Sequence, residues 1–364
     1  MHCAIPVAGT RLEQALRKRY TPQLRPELVT QFPRFELESQ FWRAVSNAEF
    51  GRRVYAINGA FDRRVARELE TVACDVFIGY ETSSLHCLEF CRSRGIAGIL
   101  DQGQVHFNRH HFLSEAGFDP MFGDRETETR VEEVKAAELD LARLVLVPSS
   151  LSRAALLDAK VPEQKIRLVP YGYDPDVFFP KTAYRASGPL RIVYAGALTR
   201  RKGLTFLMDA LRALDTASIE VTLIGGDADA SGLIGRDTPS WLRRIPFTLP
   251  NGLRALFQEA DVLVLPSLLD SFGLVALEAM ACGTPAIVSD RTGAADLVEN
   301  GTHGFVVPAA NADKLCEAIL HLARDRGEAR RMGQNAALQA QLYTWEHHHR
   351  KVRETIRSQC VVAA

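Results

Sequence analysis

The sequence offers no excess of charge of either sign. Lysine plus arginine and aspartate plus glutamate number 44 each over 364 residues, so no global field steers the chain toward nucleic acid or an acidic surface, and a partner must be recognised locally. Long apolar runs are also lacking. The longest extend over about six to eight residues, against the ~20 needed to span a bilayer, and the opening "MHCAIPVAGT" has none of the basic-then-apolar form of a signal peptide. A cytoplasmic protein is the expectation. Cysteine is sparse and unpatterned: of Cys3, Cys74, Cys87, Cys91, Cys282, Cys316 and Cys360, only Cys87 and Cys91 are close in sequence. An odd, scattered set argues against a disulfide framework and against a zinc site built on paired C-x-x-C units. Fixed-period repeats and low-complexity tracts are absent as well.

What is present is ordinary globular material, 46% hydrophobic and 24% charged, with enough length for two cores. From about residue 50, β-rich runs alternate with helical patterns. "RRVYAIN" (52–58), "CDVFIGY" (74–80), "GIAGILD" (95–101), "ARLVLVP" (142–148) and "KIRLVPYG" (165–172) read as strands, with helices such as 83–94 and 150–159 between them. Apolar runs without alternation, separated by helices, signify parallel strands covered on both faces. The proline- and glycine-containing stretch 171–190 breaks the rhythm as an interdomain connection does. A second series follows, with strands expected at 190–196, 219–225, 260–267, 284–290 and 303–308, and a helix whose Leu204, Leu207, Leu211 and Leu214 mark one buried face. The fold class predicted is α/β, two doubly wound Rossmann-like domains. A doubly wound domain usually opens with a strand and a glycine-rich turn, whereas here "HCAIPVAGT" precedes a basic helix, "RLEQALRKRY".

One stretch raises a chemical question. "DSFGLVALEAMACGTPAIVSD" (270–290) sets Glu278 among Leu274, Val275, Ala276, Leu277, Ala279, Met280 and Ala281, in a helix that Gly283 and Pro285 stop. An unpaired buried polar group costs roughly 2–7 kcal/mol, and a charge more, so the carboxylate requires a partner. A vicinal diol such as a ribose matches its two oxygens; a neighbouring Arg or backbone N–H is the alternative. The loop before this helix follows a strand, where open α/β sheets bind ligands, and the helix N–H groups face any anion there. In "AGALTRRKGLTFLMDAL" (195–211), Gly196 ends a strand and Arg200, Arg201 and Lys202 precede a second helix start. A basic triplet alone is usually solvated surface. Set between a strand end and a helix N-terminus, it reads better as a diphosphate site.

These segments, with "VPYGYDPDVFFP" (169–180), resemble the nucleotide-sugar-dependent retaining glycosyltransferases of group 1, or family 4, over about residues 140 to 345. The resemblance implies the GT-B architecture, two Rossmann-like domains with a cleft between them, and a metal-independent hexosyltransferase that needs no cofactor besides its donor. It divides the chain into an acceptor-side domain over 1–172 with its first strand-turn missing or divergent, a donor-binding domain over 173–342, and a C-terminal helix over 343–364 packing back on the first domain. The family's acidic pair falls on Asp270, near the donor sugar, and Glu278, on the ribose. Gly196, Arg200, Arg201 and Lys202 fall on the phosphates, and Ser271, Phe272, Gly273 and Leu274 line the donor at the helix start. Three features depart from the pattern: Asp270 stands where Glu is usual, Ala197 where Arg often follows the strand-end glycine, and no glycine-rich turn is visible near residue 1. Implied partners are a nucleoside diphosphate sugar and a glycan, lipid-linked or small-molecule acceptor in polysaccharide biosynthesis, and no nucleic acid. The alternatives kept are a non-catalytic or truncated nucleotide-sugar-binding relative and an epimerase on the same fold.

Weaker signals complete the reading. Asp101, at a strand end, and His106 are candidates for orienting the acceptor. His106 and His110 have the spacing of metal ligands but lack a nearby third, and no clear D-x-D cluster exists; Asp227 and Asp229 read as loop. His347, His348 and His349 read as helix surface. The helix at 11–20 offers only Leu12, Ala15 and Leu16 as an apolar face, which makes a solvated helix the default and weak peripheral contact with the inner membrane face the alternative.

Overall fold

The computed structural model describes residues 30, 32–45, 47–115, 117, 125–214, 218–226 and 239–359. The helix expected at 11–20 and the pair Asp227 and Asp229 lie outside them. In chain order the elements are α1 (Pro33–Val45), α2 (Asn47–Leu69), β1 (Val76–Tyr80), α3 (Leu85–Arg94), β2 (Ala97–Asp101), α4 (His111–Glu115), α5 (Arg125–Leu141), β3 (Leu144–Val147), α6 (Ser150–Asp158), β4 (Ile166–Leu168), β5 (Leu190–Ala195), α7 (Leu204–Arg212), β6 (Ile219–Ile224), β7 (Leu242–Ile245), α8 (Pro250–Glu259), β8 (Val262–Leu265), α9 (Leu274–Ala281), β9 (Ala286–Ser289), β10 (Gly304–Val307), α10 (Ala312–Arg324), α11 (Arg326–Ala340) and α12 (Trp345–Gln359). Among the described residues the strands form two parallel sheets, ordered β1-β2-β3-β4 and β10-β9-β8-β5-β6-β7. The α/β class read from the sequence is therefore the one observed. No helix among the described residues is long and apolar enough to cross a membrane.

By contacts the chain divides into two units. One comprises Met1–Cys74, Glu81–Ile96 and Met121–Leu141, and holds α1, α2, α3 and α5. Its interior contains buried carboxylates, each given partners. Asp62 accepts hydrogen bonds from the backbone N–H groups of His86 and Cys87, at 2.6 and 3.1 Å, and so caps α3. Glu138 accepts from Thr82 and Ser84, and Lys135 pairs with Glu81 at 3.3 Å. Burial nevertheless raises the Glu138 carboxyl to about 7.

The strand expected at 52–58 is instead part of α2. The run "VYAI" is followed by Asn58 and Gly59, a turn dipeptide that tertiary packing overrides, and the helix continues through both from Asn47 to Leu69. Helical spacing puts Ile57 and Phe61 on one face; Ile57 is buried, and Phe61 meets Phe35 edge-on at 5.8 Å. Conversely β7 was not anticipated. Its sequence, LRRI, buries only Leu242 fully, because it is the edge strand of its sheet and shows no apolar run.

The second unit comprises Asp75–Tyr80, Ala97–Pro120 and Ala142–Ala364. Its six-stranded sheet is covered on both faces, as the period-2 geometry of strands requires. Leu190, Ile192 and Tyr194 of β5 and Val262 and Val264 of β8 join one cluster with Leu204, Leu207 and Leu211 of α7 and Ile319 of α10. The alternate residues Val193, Ala195, Leu263 and Leu265 join another with Phe257 of α8 and Leu277 and Met280 of α9. The four-stranded sheet contributes Ala97, Ile99, Leu144 and Leu146 to a smaller cluster, against which Val352 and Ile356 of α12 pack.

Strand order places the switch point. β5 lies between β6 and β8, so the chain runs outward through β6 and β7 and returns to pair β8 against the other edge of β5, Ile192 opposite Val262 and Val193 opposite Leu263. The loops leaving β5 and β8 at their carboxyl ends are thereby neighbours, the position where doubly wound sheets hold ligands. Their contact is close. Gly203, at φ 75°, has space for no side chain, since a Cβ there would lie 1.8 Å from the Pro266 carbonyl oxygen. Gly203→Ala combines a left-handed strain of about 1–2 kcal/mol with that collision. We expect a clear fall in Tm by calorimetry; an unchanged Tm would show that the two loops do not pack as described.

Candidate functional site

The two loops are stitched together by their own backbone. The Arg201 carbonyl accepts a hydrogen bond from the Leu268 N–H at 2.9 Å, and Arg201 Nη1 donates to the Leu269 carbonyl at 3.0 Å. Arg201 therefore fixes the β8 loop. Lys202 follows, its N–H donating to Thr199 Oγ1 at 3.2 Å and its ammonium paired with the Asp270 carboxylate. Both members of that pair are largely shielded, with 18% and 14% of their side chains exposed. A half-desolvated ion pair needs further hydrogen-bonding groups around it to offset its lost hydration.

Two helix starts open beside this pair. α7 begins after Gly203 and α9 after Gly273, and neither helix has a side chain capping its first turn. Their leading N–H groups are the donors that helix termini leave over. Gly196 ends β5 with its N–H on the Ile224 carbonyl at 2.9 Å, and Tyr194 reaches past it to donate to the Ala197 carbonyl at 2.7 Å. The structure thus brings Gly196, Arg200, Arg201 and Lys202 on one loop to the neighbourhood of Asp270, Ser271, Phe272, Gly273 and Leu274 on the other.

Glu278 lies on α9, in the interior expected for it. It is half-buried between Leu277 and Ala279, both fully buried. Among the described residues no hydrogen bond or ion pair holds its carboxylate, and burial alone raises it from the ordinary 4.5 to about 7. Among the described residues no Arg or backbone N–H supplies the structural partner considered above. The group is a desolvated acceptor with two unused oxygens, and hydroxyl donors are its natural complement.

The segment after β2 reaches the same region by packing. Val105 and Leu113, with Phe112 beside them, form one cluster with Leu268 and Leu269, the residues just before Asp270, and with Ala155 of α6. Asp101 ends β2, its carboxyl raised by burial. His106 is buried, and its Nδ1 accepts from the Asn108 N–H at 3.3 Å, which caps the short turn Phe107–Arg109. His348 and His349 are not bare helix surface: they cluster with Trp345, and His348 lies 5.8 Å from Tyr171, which in turn meets Phe272 edge-on at 5.5 Å. Among the described residues no group of three or more His, Cys, Asp or Glu side chains is disposed to hold a metal ion.

Sequence reasoning missed the residues that hold Asp270 from its other side. The Asp270 N–H donates to the Arg291 carbonyl at 3.1 Å, and the Asp270 carbonyl accepts from the Gly293 N–H at 2.9 Å. Arg291 in turn reaches Phe112 and Glu115, and Asp296 reaches Ser150. These partners lie 146 to 179 residues apart in sequence, beyond any local pattern.

Comparison with known proteins agrees with this geometry. Residues 180–339 match the profile of the glycosyl transferases group 1. An amylovoran biosynthesis glycosyltransferase of Erwinia amylovora is 30% identical over 198 residues, 51% of this chain and 48% of that protein; the chain spans about half the length of the curated relatives it matches. Among solved structures, a sucrose-phosphate synthase from Thermosynechococcus elongatus superposes with a TM-score of 0.69 at 24% identity, over 84% of this chain and 79% of that one. Anabaena HepE in complex with UDP-glucose gives 0.66 at 19% identity, over 82% of each chain. These likenesses show the GT-B fold, and the match to the glycosyl transferases group 1 lies over residues 180–339.

Proposed function

We propose that the protein transfers a hexosyl group from a nucleoside diphosphate sugar to a hydroxyl of a glycan, lipid-linked or small-molecule acceptor, with retention at the anomeric carbon and without a metal ion. The observation that carries this reading is the Glu278 carboxylate, desolvated and unpartnered on a helix that starts at the switch point. A ribose diol donates two O–H groups to its two oxygens, and the diphosphate then falls toward the starts of α7 and α9 and toward Lys202 and Arg201. Nucleotide-sugar binding by a neighbour of the same fold, which holds UDP-glucose, supports the assignment.

In the reaction the bond between the anomeric carbon and the phosphate oxygen breaks, and the nucleoside diphosphate leaves with the electron pair. The acceptor oxygen bonds to the same face, and its proton passes to a phosphate oxygen. Negative charge grows on the leaving group, so fixed positive groups lower the barrier. Lys202 and the uncapped N–H groups of α7 supply that field. Asp270, paired with Lys202, keeps the ammonium aimed and presents its other oxygen to the sugar. Asp101, at the end of β2, and His106, on the segment that packs against Leu268 and Leu269, orient the acceptor.

Three outcomes test this. Calorimetric titration of UDP, GDP and ADP should find one that binds, and Glu278→Ala should weaken it about 10- to 100-fold, the scale of hydrogen bonds to a charged group; binding of none, or indifference to the substitution, removes the ribose role. Lys202→Ala should reduce kcat by about 100-fold, the usual cost of losing one donor to a developing anion, with a smaller change in KM.

The third concerns protons. The free carboxyl titrates at about 7, and O–H donors favour the ionised form, so nucleotide binding lowers its pKa and releases protons near pH 6.5. Titrations in buffers of different ionisation enthalpy measure that release, which Glu278→Gln should abolish. Because the folded-state value lies above the ordinary 4.5, the associated stability of the unliganded protein is present below pH 4.5 and lost as pH rises through 7.

A further inference from the structure

Asp270 is held by backbone on both sides, and each holder is anchored elsewhere. Arg291, whose carbonyl takes the Asp270 N–H, sends its guanidinium 4.0 Å above the Phe112 ring, donates to the Phe112 carbonyl at 3.2 Å and pairs with Glu115 at 3.1 Å. Three contacts of different kinds fix one side chain to α4.

Gly293, whose N–H donates to the Asp270 carbonyl, lies so near the residue preceding α6 that a Cβ there would stand 2.6 Å from the Ser149 Cβ and 2.2 Å from the Ser271 carbonyl oxygen. Three residues on, Asp296 accepts from the Ser150 N–H at 2.7 Å and from the Ser150 hydroxyl. Its carboxylate sits at the first turn of α6, where helix N–H groups lack partners and negative charge is favoured. All these residues belong to the second unit. Hydrogen bonds run from α4 through Arg291 and Asp270 to Gly293, and the short stretch of chain from Gly293 to Asp296 carries the link on to Ser150 at the start of α6.

We propose that Arg291 and Asp296 are positioning residues that fasten the Asp270 backbone to the segments following β2 and β3, so that the Lys202–Asp270 pair takes its working place only while those segments are seated. The inference rests on the donor-site reading above. On that reading Asp101 ends β2 and the segment after it carries His106, so acceptor-side seating and donor-side alignment are one event. A charge at position 291 would give steering alone. The fork to a carbonyl and the stacking on a ring give a fixed position, which is a guanidinium property.

The test uses the full chain and four variants: Arg291→Ala, Arg291→Lys, Asp296→Ala and Asp296→Glu. Amide hydrogen exchange is followed without ligand at Asp270 and Gly293 and, as references, along β8 and α9. We expect exchange at Asp270 and Gly293 to rise at least tenfold in both alanine variants, with the references unchanged. Binding of UDP, GDP or ADP, whichever the wild type selects, should stay within threefold. Hydrolysis of the corresponding nucleoside diphosphate glucose, in which water takes the acceptor's place and glucose and the nucleoside diphosphate are the products, should fall tenfold or more, so that kcat moves and KM does not. Arg291→Lys should restore little and Asp296→Glu should restore more, because the latter keeps the carboxylate that the Ser150 N–H needs. Unchanged exchange at Asp270 and Gly293, faster exchange spread equally over β8 and α9, or fast exchange with an unaltered release rate would each overturn the proposal. If the wild type binds none of the three nucleotides, the donor-site reading fails, and the exchange comparison still decides whether the fastening exists.

Discussion

Two pairs of facing residues, Ile192 with Val262 and Val193 with Leu263, join β5 to β8. Everything chemical in this molecule follows from that short parallel contact. Had β8 added to the far side of β7, the loops bearing Lys202 and Asp270 would open at opposite ends of the sheet edge. With β8 on β5 they emerge side by side, and residues remote in sequence share one desolvated space. The hydrophobic clusters on the two faces hold the pairing in place: alternate side chains of β5 and β8 are gripped by different helices, so a one-residue slip would exchange every buried side chain between faces.

That constraint also explains why much of the site was readable. Strands that are apolar throughout, such as 144–147 and 262–265, announce burial on both faces, and a carboxylate inside an apolar helix announces an exception. Glu278 stands out for this reason, Lys202 as part of a basic triplet between a strand end and a helix start, and Asp270 only through the family resemblance. The long helix α2 was misread because "VYAI" is too short a run to separate a strand from one face of a helix; only Ile57 and Phe61, four apart, carry the helical signal. β7 escaped because an edge strand with two exposed arginines has no pattern to show. Arg291 and Asp296 were illegible for a different reason. Their significance lies in partners supplied by tertiary folding, while their own neighbourhood, "SDRTGAADL", is unremarkable loop.

The two buried carboxylates that reach about 7 show how context separates similar groups. Glu138 in the first unit accepts two backbone hydrogen bonds and still rises, because burial outweighs them. Its lone pairs are used, so its place is architectural. Glu278 rises by burial with nothing to oppose it. A fold retains such a group at a cost in stability, and the cost makes sense where a ligand completes the pairing. Titration behaviour alone would not distinguish the two; the inventory of partners does.

The helix α12 follows the whole six-stranded sheet in sequence, yet its Val352 and Ile356 pack on the four-stranded sheet formed from residues 76–168. A ribosome delivers the chain in order, so that earlier sheet emerges with part of its apolar cluster uncovered until α12 is synthesised. From residue 168 to residue 356 the nascent chain therefore carries an apolar surface whose cover has not yet been made.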